Sequence, residues 1–214
     1  MSSKVLFTRP EHDVETTYMS RWNDEVVKKA REKGMQTFDL KGSKATKSEF
    51  DKYLKNSPDL ILFNGHGGSD RIMGHKNEVL VQANKDDALL KGKIVYALAC
   101  AAGEQLGPSA EKQGAKAFIG YNQDFGWITD KNKECRPEND ELANEFRDAS
   151  NQVSVALIKG NTASDAFERS QSCFKEKMLK YSASNTLPEA EEMRFWLFWD
   201  KYSQVLLGDG QAHI

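Results

Sequence analysis

The chain has 214 residues, a mass of 24.1 kDa, a formal charge of −2 at pH 7 and a pI near 6.1. Its 39% apolar and 29% charged residues are typical of a globular fold and exclude a disordered chain. The balanced charge argues against nucleic acid or a membrane surface as the main partner, because both favour a clustered basic surface. No apolar run approaches the roughly 18 residues of a membrane span, and the first residues lack a signal-peptide core.

The first 121 residues alternate between apolar runs and helical patterns. Thr46 and Glu49 form a capping-box pattern at the start of one helix. Strands that are apolar throughout and alternate with helices indicate an α/β fold, with a mostly parallel central sheet flanked by helices in three layers. The patterns predict strands at 4–9, 37–40, 60–66, 93–100 and 116–121, helices at 13–33, 46–56, 84–91 and 106–113, and a hairpin or extended excursion at 71–82.

The pattern changes to long helices in the C-terminal third. Helices are predicted at 138–158, 162–182 and 188–203, and the apolar stretch 204–209 favours an edge strand. No repeat or linker divides the chain. We therefore predict a single domain over 1–214, with a sheet core over 4–121 and a helical part with a possible edge strand over 138–209.

Three cysteines are present: Cys100, Cys135 and Cys173. Their odd number, wide spacing and lack of a CxxC pair argue against a disulfide framework or a cysteine zinc site. No metal or other cofactor is expected, and free thiols indicate a cytoplasmic location. His12 and His75 fall in predicted loops, where most histidines are solvated.

A histidine and a cysteine follow two consecutive predicted strands. Residues 60–68 read LILFNGHGG and residues 93–103 read KIVYALACAAG. Because ligands of open α/β sheets bind at the carboxyl ends of strands, we expect His66 and Cys100 to lie close together. An imidazole that takes the thiol proton creates a nucleophile, and the N–H groups of Gly67 and Cys100 can stabilise an oxyanion. On the residues alone, a cysteine and a histidine that merely pack in the sheet explain the pattern about as well.

Two motifs resemble those of known peptidases. FNGHGG at 63–68 and ALACAAG at 97–103 are similar to the His-Gly and Ala-Cys motifs of the caspase-like (clan CD) cysteine peptidases, in the same order. GAKAFIGY at 114–121 and VLLGD at 205–209 resemble the gingipain and bacterial caspase-like branch in particular.

This resemblance implies a caspase-like fold and a cysteine endopeptidase that acts through a thioester acyl-enzyme. It makes His66 the general base and Cys100 the nucleophile, while the N–H groups of Gly67 and Cys100 form the oxyanion hole. The expected partner is a peptide or protein substrate.

The sequence departs from the family at the residue that binds the P1 side chain. Metacaspases and legumain carry an acid two residues before the nucleophile, where this chain has Leu98. Asp13, Asp124 and Asp140 are candidate acids for a basic P1 residue, whereas Arg9 lies where caspases hold a P1 aspartate. Since the acids outnumber the arginine, we expect a preference for Arg or Lys at P1. Ordinary surface charge is the simpler explanation for each of the four.

The aromatic run at 194–202 has two interpretations. Helical spacing puts Phe195, Phe198, Trp199 and Tyr202 on one face. That face either packs against the sheet or serves for self-association or partner docking.

Two other classes of function compete with a peptidase. A catalytically silent caspase-like scaffold or sensor would keep the fold without the reaction. A glutamine amidotransferase or related hydrolase is nearly excluded, because there the cysteine precedes the histidine in the chain. No GxGxxG or GxxxxGK motif indicates a nucleotide.

Overall fold

A computed structural model describes residues 2–182 and 187–214. Met1 and residues 183–186, which belong to the predicted domain over 1–214, lie outside the described residues, and the single-domain organisation stays a prediction. In chain order the elements are β1 (Lys4–Arg9), α1 (Val14–Trp22), α2 (Asp24–Glu32), β2 (Gln36–Lys41), α3 (Lys47–Leu54), β3 (Leu60–Asn64), β4 (Gly67–Gly68), β5 (Arg71–Met73), β6 (Val79–Gln82), β7 (Ile94–Leu98), α4 (Leu106–Lys112), β8 (Ala117–Tyr121), α5 (Glu141–Lys159), α6 (Ala163–Lys180), α7 (Ala190–Ser203) and β9 (Gln204–Gly208).

Six strands form one sheet in the order β2–β1–β3–β7–β8–β9. Every pairing is parallel except that of β8 with the edge strand β9. The predicted α/β class and mostly parallel sheet are therefore confirmed. Neighbouring β3 and β7 pair in register, with Asn64 opposite Leu98, so the chain leaves both strands at the same edge of the sheet.

Side chains of the central strands alternate between two hydrophobic cores, one on each face of the sheet. In β1, Val5 and Phe7 lie in the core formed with α1, α2, α5, α6 and α7. Leu6 lies in the opposite core, with Phe50 of α3 and residues of α4, β5 and β6. Burial on both faces explains why the strands are near-continuous apolar runs, and it confirms the three layers.

The predicted continuous helix over 13–33 is wrong, because Asn23 separates α1 from α2. Asn23 is fully buried, and its side-chain amide donates to the Met19 carbonyl (3.1 Å) and to Asn64 Oδ1 (2.6 Å). The helical spacing of apolar residues continues through Asn23, so the sequence pattern does not indicate the break.

The connection from β3 to β7 also differs in part from the prediction. Strand β3 stops at Asn64, two residues before His66. The predicted hairpin at 71–82 is confirmed as the antiparallel pair of β5 and β6, to which β4 adds a third strand. The helix predicted over 84–91 is only a 3-10 turn at Asp87–Leu90.

Helix α7 turns most of its aromatic residues away from the core. Met193 and Leu197 are fully buried, whereas Phe195, Phe198 and Tyr202 are 53%, 50% and 72% exposed. The prediction that these three residues pack against the sheet is therefore wrong. Docking of a partner on them stays a prediction. No described helix is long and apolar enough to cross a bilayer.

Candidate active site

The segments that carry His66 and Cys100 touch just beyond β3 and β7. Gly67 is so close to Cys100 that an added Cβ would lie 2.6 Å from the Cys100 carbonyl oxygen and 3.1 Å from its nitrogen. Only a residue without a side chain permits this approach. The expected proximity of the two segments is observed, while their chemical roles stay predictions.

Both segments contain backbone in the left-handed region. Gly65 has φ 153°, and an added Cβ there would lie 2.9 Å from Pro10 Cγ. Ala101, directly after the cysteine, has φ 53° and donates its N–H to the Gln123 carbonyl at 2.9 Å. Left-handed alanines are uncommon, and such residues cluster at functional sites.

The His66 imidazole is held by a carboxylate from the start of α1. Its Nε2 lies 2.7 Å from Asp13 Oδ2, while Asp13 Oδ1 accepts the N–H of Thr16 at 2.8 Å and caps the helix. Burial opposes ionisation of Asp13, but hydrogen bonds from Thr16 and His66 outweigh it and lower the pKa of this carboxyl to about 2. An ionised partner at Nε2 favours the tautomer with its proton there, which leaves Nδ1 as an acceptor.

The Cys100 thiol is partly buried and protonated at neutral pH. Burial raises its pKa most, the hydrogen bond to the Phe125 carbonyl opposes this in part, and the nearby Asp124 raises the pKa further. Sγ donates to that carbonyl at 3.8 Å. Among the described residues, no hydrogen bond joins this thiol to the His66 imidazole. The thiol must therefore turn from Phe125 toward His66 before a proton can pass between them.

The loop after β8 is tied to α7. Gly126 N–H donates to Asp200 Oδ1 at 3.0 Å, and Trp199 Nε1 donates to the Asp124 carbonyl at 2.9 Å. An added Cβ on Gly126 would lie 2.3 Å from the Trp196 ring, so the loop lies directly on the helix. Helix α7 thus fixes the segment whose Phe125 carbonyl contacts the thiol.

Asp200 is a fully buried acid that the sequence reasoning missed. Burial raises its pKa well above the usual value, and Oδ2 has no hydrogen-bond partner among the described residues. The one sequence signal was an acid within the aromatic run RFWLFWDKY, which a helix places on the face opposite its exposed rings.

Two of the predicted P1-binding residues have structural roles. Arg9 is buried, and its guanidinium donates to Asp39 at 2.6 and 2.8 Å and to Asp24 at 2.7 Å. Asp140 is also buried; it caps α5 and accepts the Tyr18 hydroxyl at 2.7 Å. With their polar atoms engaged inside the protein, neither residue is placed to bind a P1 side chain.

The other candidate acids lie at the site. Asp124 is exposed and close enough to the thiol to affect its pKa, whereas Asp13 contacts His66 directly. Leu98 is fully buried in the core and cannot take the place of an S1 acid. A cleft of about 370 Å³ lies between the start of α1 and the loop after β8, and it is lined by Val14, Glu15, Phe125, Gly126, Trp127, Thr129 and Glu134.

His12 joins the group around His66, which the sequence reasoning did not predict. Its Nε2 lies 3.4 Å from Asp13 Oδ2 and 3.2 Å from Asn77 Oδ1. Ligand atoms of His12, Asp13 and His66 all lie within 4.8 Å of one another. The signal was the pair His12–Asp13 directly after β1, at the edge where His66 was expected.

Comparison with known proteins finds similar structures but no similar sequence. No family model matches the sequence, and no curated protein matches it significantly. The structure is similar to that of the Arg-specific cysteine proteinase gingipain R (RgpB), with 12% identity and a TM-score of 0.63, covering 99% of this chain and 47% of that chain. It is also similar to the complex of the pro- and mature domains of Porphyromonas gingivalis RgpB, with 10% identity and a TM-score of 0.60, covering 98% of this chain and 47% of that chain.

The chain has a caspase-like fold. Its structural neighbours are clan CD cysteine proteinases, as the motifs around His66 and Cys100 suggested. At this low identity the likeness establishes the fold alone. The chain also spans about half the length of the gingipain chains it matches, so activity and substrate are matters for proposal.

Proposed function

We propose that the chain is a cysteine endopeptidase in which Cys100 is the nucleophile and His66 the general base. The observation that carries this proposal is the meeting of their two segments beyond β3 and β7, with Gly67 against the Cys100 backbone and Asp13 on the imidazole. The caspase-like fold supports the same class of reaction.

The reaction follows from the two nitrogens of His66. Asp13 keeps the proton on Nε2, so Nδ1 takes the thiol proton as Sγ attacks the peptide carbonyl carbon. The N–H groups of Gly67 and Cys100 stabilise the oxyanion. Collapse of the tetrahedral intermediate releases the amine, which receives the proton from Nδ1, and leaves a thioester. Water deprotonated by the same nitrogen then hydrolyses the thioester.

The raised pKa of Cys100 bears on this mechanism. A thiol that stays protonated at neutral pH needs the base during attack, so a stable thiolate–imidazolium pair does not form in advance. Binding of substrate near the loop of Phe125 would displace the thiol from that carbonyl and turn it toward His66. We therefore expect His66 to be essential, although among the described residues no hydrogen bond joins it to Sγ.

A preference for Arg or Lys at P1 is part of the proposal. The cleft beside Phe125 carries Glu15 and Glu134 on its rim, and Asp124 lies nearby on the same loop. Among the residues that the structure describes, no Lys or Arg lines this cleft. A cationic side chain that enters it would meet carboxylates at its end and apolar surface along its stem.

A P1-scanned peptide library, cleaved by the parent chain, tests both parts of the proposal. Cys100→Ala and His66→Ala should abolish cleavage, while Cys135→Ala, which removes an exposed thiol, should leave it unchanged. Cleavage by Cys100→Ala at the parent rate would refute the peptidase. Equal cleavage after acidic and basic residues would refute the P1 preference alone.

A silent caspase-like scaffold is the second candidate. The thiol without an imidazole contact and the exposed Phe195, Phe198 and Tyr202 favour it. It predicts that no library peptide is cleaved and that a P1-Arg peptidyl acyloxymethyl ketone labels Cys100 no faster than Cys135. A cytoplasmic location and a peptide or protein partner remain predictions under either function.

A further inference from the structure

A group of nitrogen and oxygen donors surrounds Asp13 at the edge of the candidate active site. Asp13 Oδ2 lies 2.7 Å from His66 Nε2 and 3.4 Å from His12 Nε2, and the ligand atoms of the three residues fall within 4.8 Å of one another. Asn77 Oδ1 lies 3.2 Å from the same His12 nitrogen. The proposed peptide hydrolysis uses one of these contacts and leaves His12 and Asn77 without a role.

Two of the three separations among these donors are near those of a tetrahedral metal ion, and the third, between the two histidines, lies within 4.8 Å. Four ligands about 2.0–2.1 Å from zinc lie roughly 3.3–3.4 Å apart. The His12–Asp13 distance of 3.4 Å already has this value, and the Asp13–His66 contact of 2.7 Å would open by a fraction of an ångström. Two imidazoles and one carboxylate are a donor set that zinc takes in proteins.

The carboxylate is arranged to offer a single oxygen. Asp13 Oδ1 is occupied by the N–H and hydroxyl of Thr16, which leaves Oδ2 toward both imidazoles. Asp13 is also fixed by its place at the N-terminus of α1. A ligand held in this way loses little conformational freedom when a metal binds.

Histidine nitrogens that would not bind the ion also lack partners. His12 Nδ1 and His75 Nδ1 are both buried and have no hydrogen-bond partner among the described residues. Their rings lie edge to face, with centroids 5.4 Å apart. Buried ring nitrogens without partners are costly, so packing alone does not account for this group of histidines.

We propose that His12, Asp13 and His66 form a binding site for a divalent transition metal, with zinc the ion of choice and Asn77 Oδ1 as an additional oxygen donor. When the ion binds, the proton of His66 Nε2 moves to Nδ1, and Nε2 coordinates the metal in place of its hydrogen bond with Asp13. On the peptidase function proposed above, zinc is then a reversible inhibitor, because the imidazole that serves Cys100 is bound to the metal.

The binding test uses Cys100→Ala, which removes the nearby thiol and peptidase activity together. Isothermal titration with zinc chloride should show one ion per chain. His12→Gln in this background should weaken zinc binding about tenfold or more, and His66→Gln should do the same. His213→Gln, on an exposed histidine, is the matched control and should bind zinc like its parent.

Three outcomes would overturn the site. They are unchanged zinc affinity in folded His12→Gln, an equal loss of affinity in His75→Gln, and zinc binding by the parent that disappears in Cys100→Ala. Circular dichroism of each metal-free variant confirms its fold, and the rise in Tm on adding zinc gives a second readout.

Inhibition is measured separately on chains that retain Cys100. Zinc should reduce peptide cleavage at the concentrations that saturate the titration, a metal chelator should restore cleavage, and His12→Gln should need about tenfold more zinc relative to its own zinc-free rate. Zinc binding without any peptidase activity would refute the proposed function and leave the metal site standing. Cleavage that is indifferent to saturating zinc would overturn the assignment of His66 as a ligand.

Discussion

Asp13 contacts His66 through Nε2 at 2.7 Å and at the same time caps helix α1. The contact joins two segments 53 residues apart in the chain, and it decides which imidazole nitrogen is left to accept a proton. Orientation of the His66 imidazole therefore depends on where α1 begins.

Asp13→Asn should separate these two roles. Asparagine caps helices as well as aspartate does, so the free energy of unfolding should change little. The loss of the negative charge should lower kcat about 10- to 100-fold, a part of what a general base contributes, with a smaller change in KM. The pH profile of kcat should also shift, which a purely structural defect would not cause.

Asp165→Asn is the matched control, because Asp165 is the capping-box acid at the start of α6. Wild-type kcat and an unchanged pH profile in Asp13→Asn would contradict the positioning role.

Gly67→Ala should disrupt the approach of the two segments. Its Cβ would meet the Cys100 carbonyl oxygen at 2.6 Å, which is backbone and cannot move aside cheaply. We expect a loss of about 1–3 kcal/mol in the free energy of unfolding and loss of peptide cleavage. Gly68→Ala is the control, since its Cβ would meet only Arg71 Cγ at 3.7 Å. Equal stability of the two variants in urea titrations would argue against the contact.

Alkylation should reveal the raised pKa of the Cys100 thiol. Because burial disfavours the thiolate, iodoacetamide should modify Cys100 more slowly at pH 7 than it modifies a cysteine in an unstructured peptide. The rate should rise with pH to a midpoint above the value of about 8.5 that is usual for cysteine. Mass spectrometry of tryptic peptides measures the rate at Cys100 apart from Cys135 and Cys173. A midpoint below 8 would show a thiolate that is formed in advance.

Asp200 should make stability depend on pH. Its folded pKa lies well above the unfolded value of about 4, so the folded chain keeps a proton that the unfolded chain releases. Stability from this group is complete below pH 4 and falls as pH rises toward the folded pKa, by at most about 1.4 kcal/mol per pH unit.

Asp200→Asn removes this dependence and can still accept the Gly126 N–H. The variant should gain stability relative to the parent as pH rises from 4 to 8, measured by urea denaturation. A difference between the two chains that stays constant over that range would show that Asp200 does not retain its proton.

The strands and the approach of His66 to Cys100 could be predicted, because both follow from short apolar runs and from the geometry of parallel sheets. The contacts of the charged residues could not be predicted from the sequence. Arg9 and Asp140 looked like surface charges beside a cleft, yet both are buried with partners, Asp39 for one and Tyr18 for the other. Residue type alone does not show whether a charged side chain is exposed to solvent or buried with a partner.

Long-range side-chain contacts account for the remaining differences. The break at Asn23 depends on a hydrogen bond to Asn64, in a strand 41 residues away. The position of His12 depends on Asp13 and on the turn that carries Asn77. None of these pairings leaves a periodic signal in the sequence.

The tie between Gly126 and Asp200 has a consequence for the order in which the protein is made. Asp200, whose carboxyl group accepts this hydrogen bond and fixes the loop beside the thiol, follows Cys100 by 100 residues in the chain. At typical synthesis rates this delay is roughly 5–20 s. During that interval the nascent chain has the Cys100 thiol without the contact that fixes the loop beside it, so the candidate site is completed only after the last helix has been made.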